Sequence, residues 1–194
     1  SEEHTVTIDT SGGNVDVTFD DLKIDVSGKK KGNGSDDSPV DAGKAAVTVQ
    51  GGGDATIELD GDNELKSGSG NAGLEKNKHE SKGTLTIKDD VNDNGKPKTG
   101  TKADTTGTLV AGGYHDAAAI GGGEGEFADT SNITITGGKI TASGGTYGAG
   151  IGGGYTGDAS NIRIEGNADV IAFGNSGAAI GSGYHSRVNS DITI

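Results

Sequence analysis

Cysteine, methionine and tryptophan are absent from the 194 residues. Without cysteine there is no disulfide framework, no thiolate metal site and no cysteine nucleophile. Basic residues are scarce. Sixteen Lys and Arg face 29 Asp and Glu, for a net charge of -13. Phosphate binding needs clustered Lys or Arg, so nucleic acid and anionic membranes are poor partners. Apolar residues are also few, at 29% with a mean hydropathy of -0.49, close to the composition of disordered chains. No transmembrane run, signal peptide or lipidation motif is visible. No helical periodicity of 3.6 residues persists. What opposes disorder is pattern: the apolar residues fall in short, evenly spaced, β-branched clusters.

Glycine is what the chain has in quantity. It supplies 38 residues, against a typical share of roughly 7%. No G-X-Y period accompanies it, which excludes collagen. The glycines belong instead to a repeat. AAAIGGG (Ala117 to Gly123), GAGIGGG (Gly148 to Gly154) and GAAIGSG (Gly177 to Gly183) are one motif three times, with Ile120, Ile151 and Ile180 spaced 31 and 29 residues apart. A second motif follows each: SNITITGG (Ser131 to Gly138), SNIRIEGN (Ser160 to Asn167) and SDITI (Ser190 to Ile194). A third follows the first two of those: KITASGG from Lys139 and DVIAFGN from Asp169. The stretch from Ala45 to Gly113 fits the same three slots with more decay, through AAVTVQGG, ATIELDGDNELKSG, NAGLEKN, GTLTIKDD and GTLVAGG. Before it, HTVTIDT and NVDVTFDDLKIDV alternate as strands do.

Three strands of four or five residues cannot bury a face alone, but stacked on the next repeat they can. The pattern predicts an all-β fold, a single right-handed parallel β-helix with three short strands per coil and about 30 residues per coil. Handedness follows the general rule for parallel crossovers. We count four to five coils. Residues 1–194 read as one domain, with 1–44 as N-terminal strands or a cap carrying a loop insertion and 45–194 as repeat coils. Ile133/Ile162/Ile192 and Ile135/Ile164/Ile194 are expected to form inward columns. Asn132, Asn161 and Asp191, each after a serine, are expected to form a structural ladder. Glycine serves the bends between strands. The Gly-rich runs lack the GK[ST] ending and following helix of a phosphate cradle.

With AGIGGG and SNITITGGKITASGG aligned, residues 107–194 resemble the Gly-rich β-helix domains of clostridial and other Gram-positive surface proteins. The likeness is diffuse over 45–106. The resemblance implies a pectate-lyase-like right-handed β-helix, calcium sites, carbohydrate binding and an extracellular, surface-attached location. Absence of cysteine is compatible with that location. The chain begins at SEEHTVTI and ends in strand-like SDITI, and reads as a monomeric domain of a larger chain whose anchor lies elsewhere.

Several residues bear chemistry. Asp90, Asn92 and Asn94 with Gly95 match the opening of a calcium loop, though Thr101 stands where the closing Glu belongs and Lys96 and Lys98 follow. Asp60/Asp62 and Asp36/Asp37/Asp41 are lesser cation candidates. An acidic surface turn is the competing explanation for the Asp90 loop. Tyr155 and Tyr184 lie four residues after Ile151 and Ile180, so they are expected to stack on one edge, with Glu124 as their equivalent one coil earlier. Tyr147, Tyr114, His115 and His185 sit in nearby loops. Exposed tyrosines lie against sugar rings while acids or a bound cation take hydroxyls. Packing over the Gly-rich face is the competing explanation. Lyase chemistry would need a basic residue beside acidic calcium ligands. Only Arg163 and Arg187 are arginines, and neither has an Asp cluster on its strand. The outward position Thr134, Arg163, Thr193 breaks the regular threonine array of an ice-binding face. The expectation is a non-catalytic extracellular domain binding polysaccharide or a host glycan, with calcium as an assisting ion. The alternatives are an adhesin domain for a host protein such as an immunoglobulin or matrix glycoprotein, a passive stalk, or a lyase.

Overall fold

The computed structural model describes residues 4–27, 43–89, 107–186 and 189–194. Its strands are β1 (Val6–Asp9), β2 (Val15–Asp20), β3 (Lys23–Asp25), β4 (Val47–Gln50), β5 (Ala55–Asp60), β6 (Asp62–Lys66), β7 (Leu74–Glu75), β8 (Leu85–Asp89), β9 (Thr108–Gly112), β10 (Ile120–Gly121), β11 (Thr130–Ile135), β12 (Lys139–Ser143), β13 (Ile151–Gly152), β14 (Ala159–Ile164), β15 (Asp169–Phe173), β16 (Ile180–Gly181) and β17 (Asn189–Thr193). They form three parallel sheets. The first runs β1-β4-β7-β10-β13-β16, the second β2-β5-β8-β11-β14-β17, the third β3-β6-β9-β12-β15. The chain therefore visits the sheets in rotation and climbs one level per circuit. This is a parallel β-helix.

Five circuits carry all three strands, and β16 and β17 begin a sixth. That exceeds the four to five coils read from the repeat. The extra coil is β1–β3, whose strands pair in parallel with β4, β5 and β6. Its strands alternate apolar and polar residues but lack the AIGGG bend that marks the later coils, so alternation was its only visible signal.

Inward positions form columns. In the second sheet Val15, Ala55, Leu85, Ile133, Ile162 and Ile192 are in register. Beside them run Val17, Ile57, Ile87, Ile135 and Ile164. The expected extension of that column to Ile194 is not made: β17 ends at Thr193, and Ile194 is 82% exposed. Ile57, Ile87, Ile133, Ile135 and Ile162 are fully buried. One residue per level is enough to continue such a column, which is how few apolar residues make a core. The outward neighbours Thr56, Thr86, Thr134, Arg163 and Thr193 form a column of their own.

The third sheet shows a polar residue in the core. Asn63 stands in the column of Leu109, Ile140 and Val170. It is buried, accepts from the Leu22 N–H at 2.8 Å, and its amide lies within hydrogen-bond range of the Phe19, Asp60 and Thr108 carbonyls. A buried amide survives because it fills the bonds that the corner backbone leaves open.

Candidate functional site

The Gly-rich motif builds one tight bend per coil. In coils four to six the N–H of Ala118, Ala149 and Ala178 donates to the carbonyl of Gly122, Gly153 and Ser182, at 2.9, 2.9 and 3.0 Å. Each bond closes the chain around an Ile-Gly strand of two residues. Successive bends then stack, with Gly122 N–H on Gly152 O and Gly153 N–H on Gly181 O. Gly152 shows why the motif cannot carry side chains. Its φ is +141°, and a Cβ there would sit 1.7 Å from the Gly181 carbonyl oxygen. Because the bend reverses the chain so sharply, the loops entering and leaving the first sheet run side by side.

Those loops carry the tyrosines. Tyr147 enters coil five, and Tyr155 and Tyr184 leave coils five and six. Their backbones are tied together: Tyr147 N–H donates to His115 O, Tyr184 N–H to Tyr147 O, Thr156 N–H to Tyr184 O, and Tyr155 N–H to Asp116 O. The rings follow. Tyr147 and Tyr184 are nearly parallel with centroids 5.5 Å apart, Tyr155 and Tyr184 likewise at 6.4 Å, and Tyr147 and Tyr155 are 5.4 Å apart at a tilt. His115 meets the Tyr147 ring edge-on at 5.9 Å, and His185 lies 4.1 Å from Tyr184. Five rings thus form one cluster, with Tyr184, His115 and His185 exposed and Tyr147 and Tyr155 half-buried. His115 and His185, like Thr156, hold positive φ, so local backbone strain accompanies the cluster.

Carboxylates lie on the same loops and those beside them. Asp116 Oδ1 is 2.8 Å from His115 Nδ1. Asp158 Oδ1 accepts from the Ser186 hydroxyl at 2.5 Å, and Asp129 Oδ1 accepts from the Asp158 N–H at 2.8 Å. Sequence reasoning named the rings but not these acids, which are spread over three loops; Asp129 and Asp158 meet only through the coil stacking.

The other expected residues lie apart. Tyr114 is exposed and makes no ring contact with the cluster. Glu124 occupies the position of Tyr155 one coil earlier, but its carboxylate lies over Gly70, toward coil three. Asp90, Asn92 and Asn94 lie outside the described residues, as do Asp36, Asp37, Asp41 and Arg187. Asp62 Oδ1 accepts from the Thr108 hydroxyl, and Asp60 Oδ1 is buried without a hydrogen bond. Among the described residues no three acidic or histidine side chains are grouped to hold a metal. Arg163 points outward from β14 and bonds Glu165 at 3.2 Å.

Coil three holds a different polar group, which sequence reasoning passed over. Glu75 and Lys76 are consecutive and both buried. Glu75 accepts from the Ala72 N–H and the Asn77 amide, and Asn77 also donates to Glu80. Burial pushes the Glu75 carboxyl up to about 7, against the lowering effect of the Ala72 and Asn77 hydrogen bonds. Burial brings Lys76 down to about 8, helped by the nearby Lys82 charge. The Lys76 ammonium donates to the Ser81 carbonyl at 3.3 Å. In sequence NAGLEKN carries only the signal of a strand slot.

No family model, curated protein or solved structure matches this chain.

Proposed function

We propose that the protein is a non-catalytic glycan-binding domain acting outside the cell, and that the five-ring cluster on coils four to six is its binding surface. One observation carries the reading: Tyr147, Tyr155 and Tyr184 are gathered from separate loops into ring contact, with Tyr184 and both histidines open to solvent. Rings with one apolar face and a polar tip suit sugars, which present C–H faces and hydroxyls together. The half-buried acids beside them accept from hydroxyls.

The test is a glycan array probed with the intact chain, in calcium and in EDTA. Binding that weakens roughly tenfold in Tyr184→Ala and in Tyr155→Ala supports the reading, a size fitting the loss of one ring contact. Loss of binding in EDTA would add calcium as an assisting ion. A blank array in both conditions overturns the reading.

A domain binding a host protein is the second reading, and a separate observation favours it. Val110, Ile171 and Phe173 are exposed on the outward side of the third sheet, with Thr141 between Val110 and Ile171. Exposed apolar side chains grouped on one face mark protein contacts more than sugar contacts. Deglycosylation of a captured target separates the two: a protein binder keeps its target, and a glycan binder loses it.

A further inference from the structure

The cluster's surroundings speak to the charge of what it binds, an inference that rests on the glycan reading. Between residues 107 and 186 there are seven acidic side chains and two basic ones. One of them touches a ring, and two more lie on the loops that carry the rings and those beside them. Asp116 touches His115, Asp158 is tied to Ser186 two residues beyond Tyr184, and Asp129 supports Asp158 from the coil below. The two basic residues lie elsewhere: Lys139 opens β12, and Arg163 faces outward in β14 with Glu165 as its partner. Arg187 follows the cluster in sequence and lies outside the described residues.

We propose that the cluster takes a cationic glycan, a polymer whose sugars carry free amines, in preference to a uronic acid polymer. A uronate laid on these rings would bring its carboxylates toward Asp116 and Asp158, and like charges at close range repel. A neutral sugar would use the rings but leave the carboxylates to lose hydration without a charged partner. An ammonium uses both. It is drawn to the carboxylates, and it is attracted to the face of an exposed tyrosine. The chain's overall charge of -13 steers a cation in the same direction.

The experiment is calorimetric titration of the intact chain with three soluble oligomers of matched length: β-1,4-linked glucosamine, its N-acetylated form, and oligogalacturonate. The glucosamine oligomer is expected to bind about tenfold more tightly than the acetylated one at low salt, with the gap closing in about 0.5 M NaCl because screening acts on the charge contribution alone. Asp116→Asn is expected to narrow the gap, weakening glucosamine binding more than acetylated binding. Asp158→Asn, checked by its melting temperature, is a second variant on a different loop. Tyr184→Ala is expected to weaken both glucosamine forms, and the free-amine form more, because it loses the ring face for the ammonium as well. Equal affinities, or a preference for galacturonate, overturn the charge preference and leave the glycan reading standing. Silence from all three oligomers overturns the charge preference, and a blank glycan array beside it overturns the glycan reading too.

Discussion

Glu75 and Lys76 are neighbours in sequence but titrate toward each other. The folded protein holds the Glu75 proton to about pH 7, whereas an unfolded carboxyl releases it near 4.5. Over that interval the folded state binds more protons, so stability falls as pH rises from about 4.5 to 7 and is flat above. Lys76 does the reverse. Folded, it loses its proton near 8, and unfolded near 10.5. Stability therefore rises between those values and is flat below. Together they place a stability minimum between about pH 7 and 8 in urea melts taken across the range. Glu75→Gln should flatten the acid side of that dip, raising stability at pH 8 by at most about 3 kcal/mol. An unchanged profile in the variant would show that Glu75 is not the group responsible. Glycine offers a sharper contrast at the same scale. Gly152→Ala drives a Cβ into the Gly181 carbonyl and should cost roughly 3–5 kcal/mol, in the upper range for single substitutions. Gly12→Ala meets nothing within 4 Å and has no left-handed φ, so its melting curve should overlay that of the parent chain.

Elements in this fold are defined by what happens at their corners. β11 and β14 each contain a left-handed asparagine, Asn132 at φ +58° and Asn161 at +51°. The Asn161 amide donates to Asn132 Oδ1 at 2.8 Å, and Asn132 donates in turn to the Lys82 carbonyl. Asparagine does two jobs here. It tolerates the left-handed backbone and it links coils through its side chain. Asn161→Gly keeps the first and loses the second; Asn161→Ala loses both. Chemical denaturation should rank the alanine variant lower by about 1 kcal/mol. Equal stabilities would mean that the backbone conformation carries no cost. The ladder was legible in the sequence because the SN pair recurs at the repeat spacing. The slots of β4 to β9 were legible too, through β-branched alternation between glycines. What could not be read was context. Asn63 sits in DNELK, a stretch with nothing to mark its asparagine as inward, and only the backbone of the neighbouring coils makes it a core residue. The ring cluster was half legible: equal spacing from Ile151 and Ile180 tied Tyr155 to Tyr184, but Tyr147 joins them only because the bend folds its loop alongside theirs.

At the scale of the whole molecule, register is kept while loop length is not. β3 and β4 are joined by residues 26–46 and β8 and β9 by 90–107, yet both flanking coils stay in parallel register with their neighbours. The coils are joined by the apolar columns and by the hydrogen bonds between levels, and those bonds point along the axis of the solenoid. That direction has a mechanical meaning. Tension applied to the two ends loads the bonds of one level at a time, in the manner of a zipper, and each level released frees from 27 residues (Val47 to Leu74) to 46 (Leu74 to Ile120), or roughly 90 to 150 Å of extended chain. Pulling a single molecule should give a sawtooth with steps in that range, and one abrupt rupture of the entire domain would contradict the picture. Held between two fixed points, a chain built this way yields by lengthening, and it keeps its remaining coils folded while it does so.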